Sequence, residues 1–324
     1  MFLILLQYML LATTFTLGKA AMDYVQPIFF IGIRMIIGGL LLLVYQYFFD
    51  RSQWRLDKKD LYIFVKMMLF HIAISFGCEF WALQYVAPAK AGLMWNFSPF
   101  VTALFAYLYH NERMTGKQWL GLVIGFIGLL PSVLSFAPEE MLSGGWSFVS
   151  YAELVLCIAI ISGSYAWIIM KELVTHKGYS PVMVNGVAML GGGVIDLLTS
   201  LVTENPPYIT MIPRFGAHCD TSLAQSLCAV FSGEYAGFIL AFIYLIALIL
   251  IANVVCFNLY GYLLRSYSAT FVSFCGFTTP LFAALFDWLF RGEVVGLSFF
   301  ASVVIVSIGL FLFYQDELDS IRIG

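Results

Sequence analysis

The sequence predicts an all-α integral membrane fold, with ten transmembrane helices arranged as two inverted five-helix repeats. Composition is the first support. Of 324 residues, 61% are hydrophobic and 11% charged, and the mean hydropathy is +0.91, whereas soluble domains carry about a quarter charged residues. The second support is a series of ten apolar runs. Lipid offers the backbone no hydrogen-bond partner, so each run of about twenty residues must be a helix.

An internal repeat is the third. Ala87-Pro88-Ala89-Lys90-Ala91-Gly92 leads into an apolar run that contains Pro99 and ends at Asn111-Glu112-Arg113, before Gly116. Ser268-Ala269-Thr270 leads into another, which contains Pro280 and ends at Arg291-Gly292-Glu293, before Gly296. Thirteen residues separate proline from glutamate in both copies, and the offset of 181 also carries Gly128 onto Gly309.

Taken in order, the runs cover about 3 to 22, 28 to 49, 61 to 83, 91 to 109, 118 to 136, 148 to 170, 181 to 202, 236 to 261, 269 to 290 and 296 to 314. The first has no positive n-region and a poor cleavage site at Leu17-Gly18-Lys19-Ala20, so it reads as an uncleaved span. Residues 1–136 form the first repeat, 137–147 a linker and 148–324 the second repeat, which carries an extracytoplasmic loop at 203–235.

With the N-terminus inside, ten Lys and Arg (Arg51, Arg55, Lys58, Lys59, Arg113, Lys117, Lys171, Lys177, Arg265 and Arg322) fall on the cytoplasmic side, against four (Lys19, Lys90, Arg214 and Arg291) outside. That asymmetry places both termini in the cytoplasm. Five spans per unit then invert the second unit, so Glu112 faces the cytoplasm and Glu293 the outside. The two glutamates cannot act as one catalytic pair and are expected to cap or pair locally. Pro99 and Pro280 are expected to interrupt their helices.

A net charge of -3 gives no sign of nucleic-acid binding. Cys78, Cys157, Cys256 and Cys275 lie in apolar runs and read as buried thiols. Cys219 and Cys228 lie in the outer loop, where an oxidising compartment makes them a disulfide candidate, with two free thiols as the alternative. His218 beside them does not complete a tetrahedral ligand set, so no metal is expected. There is no Walker motif, His-Glu-x-x-His, paired Asp-rich motif or nucleophile elbow.

An ionisable residue within a span costs about 2.5 to 3.5 kcal/mol on insertion scales and asks for a reason. Lys19, Arg34, Glu79, Glu153, Asp196 and Asp287 all fall toward the outer half. His71, Ser75 and Glu79 stand at i, i+4 and i+8 on one helix face, with Glu79 a candidate for a cationic group and His71 for a coupled proton. Arg34 can hold a carboxylate or phosphate by its planar fork, or pair with Glu79 or Asp196. Lys19 has the same two readings, whereas Lys66 and Asp287 can snorkel to headgroups. Glu153, Cys157, Ile160, Ser164 and Trp167 form a stripe on span six. Gly121, Gly125 and Gly128, and Gly191-Gly192-Gly193, permit close helix contact.

Leu83-Gln84-Tyr85 followed by Ala87, Ala89, Ala91, Ser98-Pro99, Asn111-Glu112-Arg113, Gly121 and Gly128 resembles the first repeat of EamA-type members of the drug/metabolite transporter superfamily. Ser268-Ala269-Thr270, Thr279-Pro280, Gly292-Glu293 and Gly309 resemble the second, and Pro27 and Arg34 also fit. The first span departs from the pattern, with Thr13 and Thr14 where a Trp-Gly pair is common, and the outer loop is long.

The resemblance implies ten helices with cytoplasmic termini, alternating-access transport of small organic solutes, and a central cavity drawing on the spans that carry Trp81, Trp95, Asn96, Tyr165, Trp167, Asn258, Tyr260 and Tyr262. Aromatic faces there can stack on a planar ring or hold a cation, although such residues also serve as packing and interface anchors.

The expected function is secondary active transport of a cationic or zwitterionic metabolite, of which S-adenosylmethionine is an example, by exchange or proton coupling. The expected setting is a bacterial inner membrane, with the lipid bilayer and a small metabolite as partners. No cofactor or nucleic acid is expected, and monomer and homodimer both stay open. An amino-acid, amine or drug exporter of the same fold is the alternative. A membrane-embedded enzyme on a lipid-linked substrate is the alternative from another class.

Overall fold

The computed structural model describes residues 2–22, 25–86, 88–136, 151–204, 236–291 and 297–323. Among these residues the chain is helical and has no strand. Helix α1 is Phe2–Met22 and α2 is Pro27–Phe49. α3 covers 61–82 in three consecutive pieces: Leu61–Met67, the π-helical Met68–Phe76, and Gly77–Ala82. α4 covers 88–110 as Pro88–Trp95 and Ser98–His110, and α5 is Gly116–Phe136. α6 is Tyr151–Lys171, extended by a π-helical turn at Glu172–His176.

In the second half, α7 is Pro181–Thr203. α8 covers 236–263 as Ala236–Leu248, the π-helical Ile249–Cys256 and Phe257–Leu263. α9 covers 269–291, with a 3₁₀ stretch at Cys275–Thr278, and α10 is Leu297–Ile323. Among the described residues, eight helices, α2, α3, α4 and α6 to α10, are long and apolar enough to cross a membrane, and α1 and α5 contain shorter apolar stretches, Phe2–Thr14 and Gly116–Pro131.

The offset of 181 found in the sequence recurs in the backbone. The π-helical pieces of α3 and α8 begin at Met68 and Ile249, 181 residues apart. The turn at Asn96 and Phe97 in α4 corresponds at the same offset to residues 277 and 278 in the 3₁₀ stretch of α9. As expected, the regular α-helix gives way just ahead of Pro99 and Pro280, and each proline is the second residue of the α-helical piece that follows.

Two antiparallel seams hold the halves together. α2 lies along α7, and at Gly39 a Cβ would come within 2.7 Å of the Leu190 nitrogen and 2.9 Å of the Gly186 oxygen. α5 lies along α10, with Gly121 against the Gly309 carbonyl. Backbones this close gain dispersion contacts that lipid cannot supply.

The ends of the first seam are tied by side chains. Glu204 accepts hydrogen bonds from the Ile28 and Phe29 amides at 2.7 and 2.9 Å. It thereby caps α2, whose own N-cap residue, Gln26, makes no side-chain cap. At the other end Ser180 caps its own helix through the Met183 amide at 3.0 Å and donates to Gln46 on α2 at 2.5 Å.

Glu112 pairs with Lys171 of α6 at 2.6 Å, next to Asn111, which closes α4 in the left-handed conformation at φ 53°. The partner lies on another helix, α6, and not within the α4–α5 hairpin, which corrects the expected local pairing. Cys256 and Cys275 are buried, but Cys157 is exposed, which corrects its placement on the inward stripe of α6. Cys219, Cys228, Glu293, the linker and residues 205–235 of the outer loop lie outside the described residues, as do the side chains of Lys19 and Asp287.

Replacing Gly39 by Leu forces α2 from α7 and should cost about 1–3 kcal/mol, read as a lower melting temperature in detergent, with Gly39→Ala intermediate. An unchanged melting temperature for Gly39→Leu would show that the seam tolerates separation.

Candidate functional site

Polar and aromatic side chains that lipid would reject collect between the helices. At one end Arg34 on α2 is buried, 3% exposed, with its guanidinium carbon 5.7 and 5.5 Å from the Phe76 and Phe80 ring centres. Its charge is felt by Glu79 on α3, itself 6% exposed. Trp95 on α4 approaches the Glu79 carboxyl, yet its indole N–H completes no normal hydrogen bond. The Trp95 ring also lies against α6 at Gly163, where a Cβ would stand 3.1 Å away.

A hydroxyl cluster continues from there. Ser98 on α4 is 3.0 Å from Ser164 on α6 and 3.2 Å from Ser273 on α9. Ser75 on α3 donates to the Ala159 carbonyl of α6 at 3.0 Å.

Beyond it stands an aromatic group. Trp167 on α6 stacks on Tyr260 of α8 with ring centres 3.7 Å apart and 23° between planes. His71 on α3 meets Trp167 edge-on at 4.7 Å and Phe257 at 5.5 Å. Tyr260 interacts with Tyr8 of α1 and Ser273 of α9. Several of these buried groups have hydrogen-bonding capacity to spare: Arg34 Nε, His71 Nε2, Trp95 Nε1, Asn96 Nδ2 and Thr102 Oγ1 meet no partner among the described residues. Unpartnered buried atoms also occur, among the described residues, at Gln7, His110, Asn185, Asp196 and Asn253, so it is their company with the Arg34, Glu79 and aromatic contacts that makes these available to a polar ligand.

Other residues expected at the site lie elsewhere. Glu153 forms an ion pair with Lys90 at the start of α6, and Trp81 packs close by on Tyr85 and Tyr151. Tyr165 packs on Phe70, Phe105 and Tyr109 and interacts with Lys66, which lies over the Tyr62 ring. Asn258 accepts from Asn185 at 3.0 Å and donates to Val254, so it ties α8 to α7. Tyr262 is 52% exposed on the outer surface of α8.

His71, Ser75 and Glu79 are all buried on α3 and meet different neighbours along its length: His71 meets aromatic rings, Ser75 meets α6 and Glu79 meets Arg34. Tyr8 and Ser273 carry no signal in the sequence, and Ser98 enters there only as part of the Ser98-Pro99 motif, not as a site residue. A serine or tyrosine in an apolar run is common there, and only the packing of α1, α4 and α9 brings these three together.

At one end of the α2·α7 seam, the connections are linked outside the helices. Lys177 pairs with Asp60 at 2.7 Å, Tyr179 donates to Asp60 at 2.9 Å, and Arg55 donates to the Lys177 carbonyl at 2.6 Å. The Asp60 carboxylate holds the Lys177 ammonium above the ordinary lysine range. The link is thus intact at neutral pH and is lost as the pH rises through that raised value, or when acid protonates the Asp60 carboxylate. Among the described residues, no group of three or more His, Cys, Asp or Glu is placed to hold a metal.

The profile of the EamA-like transporter family matches residues 1–134 and 150–315. A Chlamydia muridarum protein named "S-adenosylmethionine/S-adenosylhomocysteine transporter" is 30% identical over 319 residues, covering 98% of this chain and 92% of the relative. A protein of the same name from Chlamydia trachomatis serovar L2 is also 30% identical over 319 residues, covering 98% and 89%. "Uncharacterized transporter YoaV" of Bacillus subtilis is 22% identical, covering 92% and 91%. A solved structure titled "Crystal structure of protein" superposes with a TM-score of 0.66 at 15% identity, covering 97% of each chain, which is a likeness of fold.

Ser98→Ala removes the hydroxyl between Ser164 and Ser273 and should cost about 1–2 kcal/mol, because two buried groups lose a partner. The check is a melting curve in detergent, and wild-type stability would deny the cluster a structural share.

Proposed function

We propose that this chain, which belongs to the EamA-like transporter family and is a transporter rather than an enzyme, exchanges S-adenosylmethionine for S-adenosylhomocysteine across a bacterial inner membrane by alternating access. The observation that carries the reading is the juxtaposition of a buried Arg34 and Glu79 with a hydroxyl cluster and an aromatic group, all inside a bundle with the family's pattern. S-adenosylmethionine offers a matching set: a carboxylate for Arg34, positive charge for Glu79, ribose hydroxyls for Ser98, Ser164 and Ser273, and a purine for Trp95, Trp167, Tyr260 and His71. Its demethylated product keeps all but the sulfonium charge. The two Chlamydia relatives, matched over nearly the whole chain, support this choice.

The architecture in this reading is ten spans in two inverted units, with the site between them near the midplane. Support comes from the pairing of helices with the same rank in each unit. α2 runs antiparallel to α7 and α5 to α10, as two units of opposite orientation require. The excess of Lys and Arg on the side of the Lys177 link supports cytoplasmic termini. In the transport cycle the halves rock about the glycine seams and expose the site to each side in turn.

The test is thermal stability of the purified protein with ligands, since a ligand that binds only the folded state raises its apparent melting temperature. Both S-adenosyl compounds should raise it, and methionine, adenosine and spermidine should not. Glu79→Gln should weaken the response to S-adenosylmethionine at least about tenfold and that to S-adenosylhomocysteine less. A response only to amines or plain amino acids would overturn the substrate and favour an exporter of the same fold.

A further inference from the structure

Asp196 has no part in the site just described. It lies on α7, 2% exposed, at the contact with α3, and its Oδ2 meets no hydrogen-bond partner among the described residues. Its Oδ1 sits against the α3 backbone at Gly77, 3.3 Å from where a Cβ would stand. The ionisable side chains of the helices packed on either side are accounted for. On α3, Cys78 is close enough to feel the Asp196 charge, Glu79 is engaged with Arg34 of α2, His71 lies among aromatic rings, and Lys66 lies with Tyr62 and Tyr165. Where α7 meets α8, the groups are the neutral amides Asn185 and Asn258.

Among the described residues, Asp196 is therefore a buried carboxyl with no cation beside it. An isolated carboxylate cannot be held in such surroundings without a large penalty, and the group takes up a proton instead. It also stands where α7 meets the helix that carries Glu79 and His71 of the site. α7 packs on α2 through the glycine seam and the Glu204 cap, and on α3 through Gly191 and Gly192, which lie against Met68 and Ile72.

We propose that Asp196 is the proton-carrying group of the transport cycle, protonated while α3 and α7 are closed and deprotonated to water when they part. Only its O–H bond breaks and re-forms: the proton leaves to water on one side and is replaced from water on the other. This rests on the transport reading for its purpose, although proton occupancy of Asp196 can be measured without any substrate.

Two measurements on the full-length protein decide it. Dicyclohexylcarbodiimide adds to protonated carboxyls in apolar surroundings, so mass spectrometry should find the adduct on Asp196 and find it declining as the pH is raised. In liposomes, a favourable gradient of one pH unit acting on one coupled proton multiplies the limiting accumulation of S-adenosylmethionine about tenfold. Asp196→Asn should lose that enhancement while keeping counterflow at equal pH, and Asp196→Glu should restore part of it.

Absence of the adduct from Asp196 at every pH, or a full gradient response in Asp196→Asn, would overturn the proposal. A wild-type protein without S-adenosylmethionine counterflow would count against the substrate instead, and the carbodiimide adduct would then decide Asp196 by itself.

Discussion

Inside lipid a polar group has only the protein to bond with, and the whole fold is built around that constraint. The backbone answers with helices, but Arg34, Glu79, His71, Asn96 and the serines of α4, α6 and α9 cannot be satisfied by the helix that carries them. They are tolerable only where several helices enclose them. Enclosure in turn needs helices that approach closely and stay together, which the α2·α7 and α5·α10 seams provide. The Glu204 cap on the Ile28 and Phe29 amides fixes one end of the first seam, and the Gln46 to Ser180 bond fixes the other.

The two seams leave the remaining helices freer in composition and shape. α3 and α8 contain π-helical pieces at corresponding positions, and α4 and α9 are each broken and restarted. A π-helical turn displaces the backbone pairing and rotates the residues beyond it, and such turns are frequent at functional sites. His71 and Ser75 lie within the π-helical piece of α3 and Glu79 just beyond it, with His71 among aromatic rings and Glu79 near Arg34. The scaffold is thus regular along the two seams and irregular in the helices that carry several of the buried polar groups.

Much of this was legible in the sequence, because apolar runs leave the backbone little choice. The helices begin and end close to the predicted runs, although α6 continues to His176 and α10 to Ile323. Arg34, Glu79, Trp95, Trp167 and Tyr260 also announced themselves, as charges or large rings within such runs. The π-helical pieces did not, since a shift in hydrogen-bond partner leaves no mark on composition. Pro99 and Pro280 did mark the irregular stretches ahead of them, but not that one would be a turn and the other a 3₁₀ stretch. Cys157, on the stripe of span six, and Tyr262, on a span that the family resemblance places at the cavity, are both exposed, because which arc of a helix faces lipid is set by its neighbours. Asp196 was visible as a charge, whereas the absence of a cation beside it among the described residues depends on how α3 and α7 pack.

The central claim is that the enclosed polar site carries S-adenosylmethionine in exchange for its demethylated product. The most direct measurement is uptake of labelled S-adenosylmethionine into liposomes that contain the purified protein, with and without S-adenosylhomocysteine inside. Internal S-adenosylhomocysteine should accelerate uptake strongly, and empty liposomes should take up little. Uptake indifferent to the internal compound, or no greater than in liposomes without protein, would contradict the account.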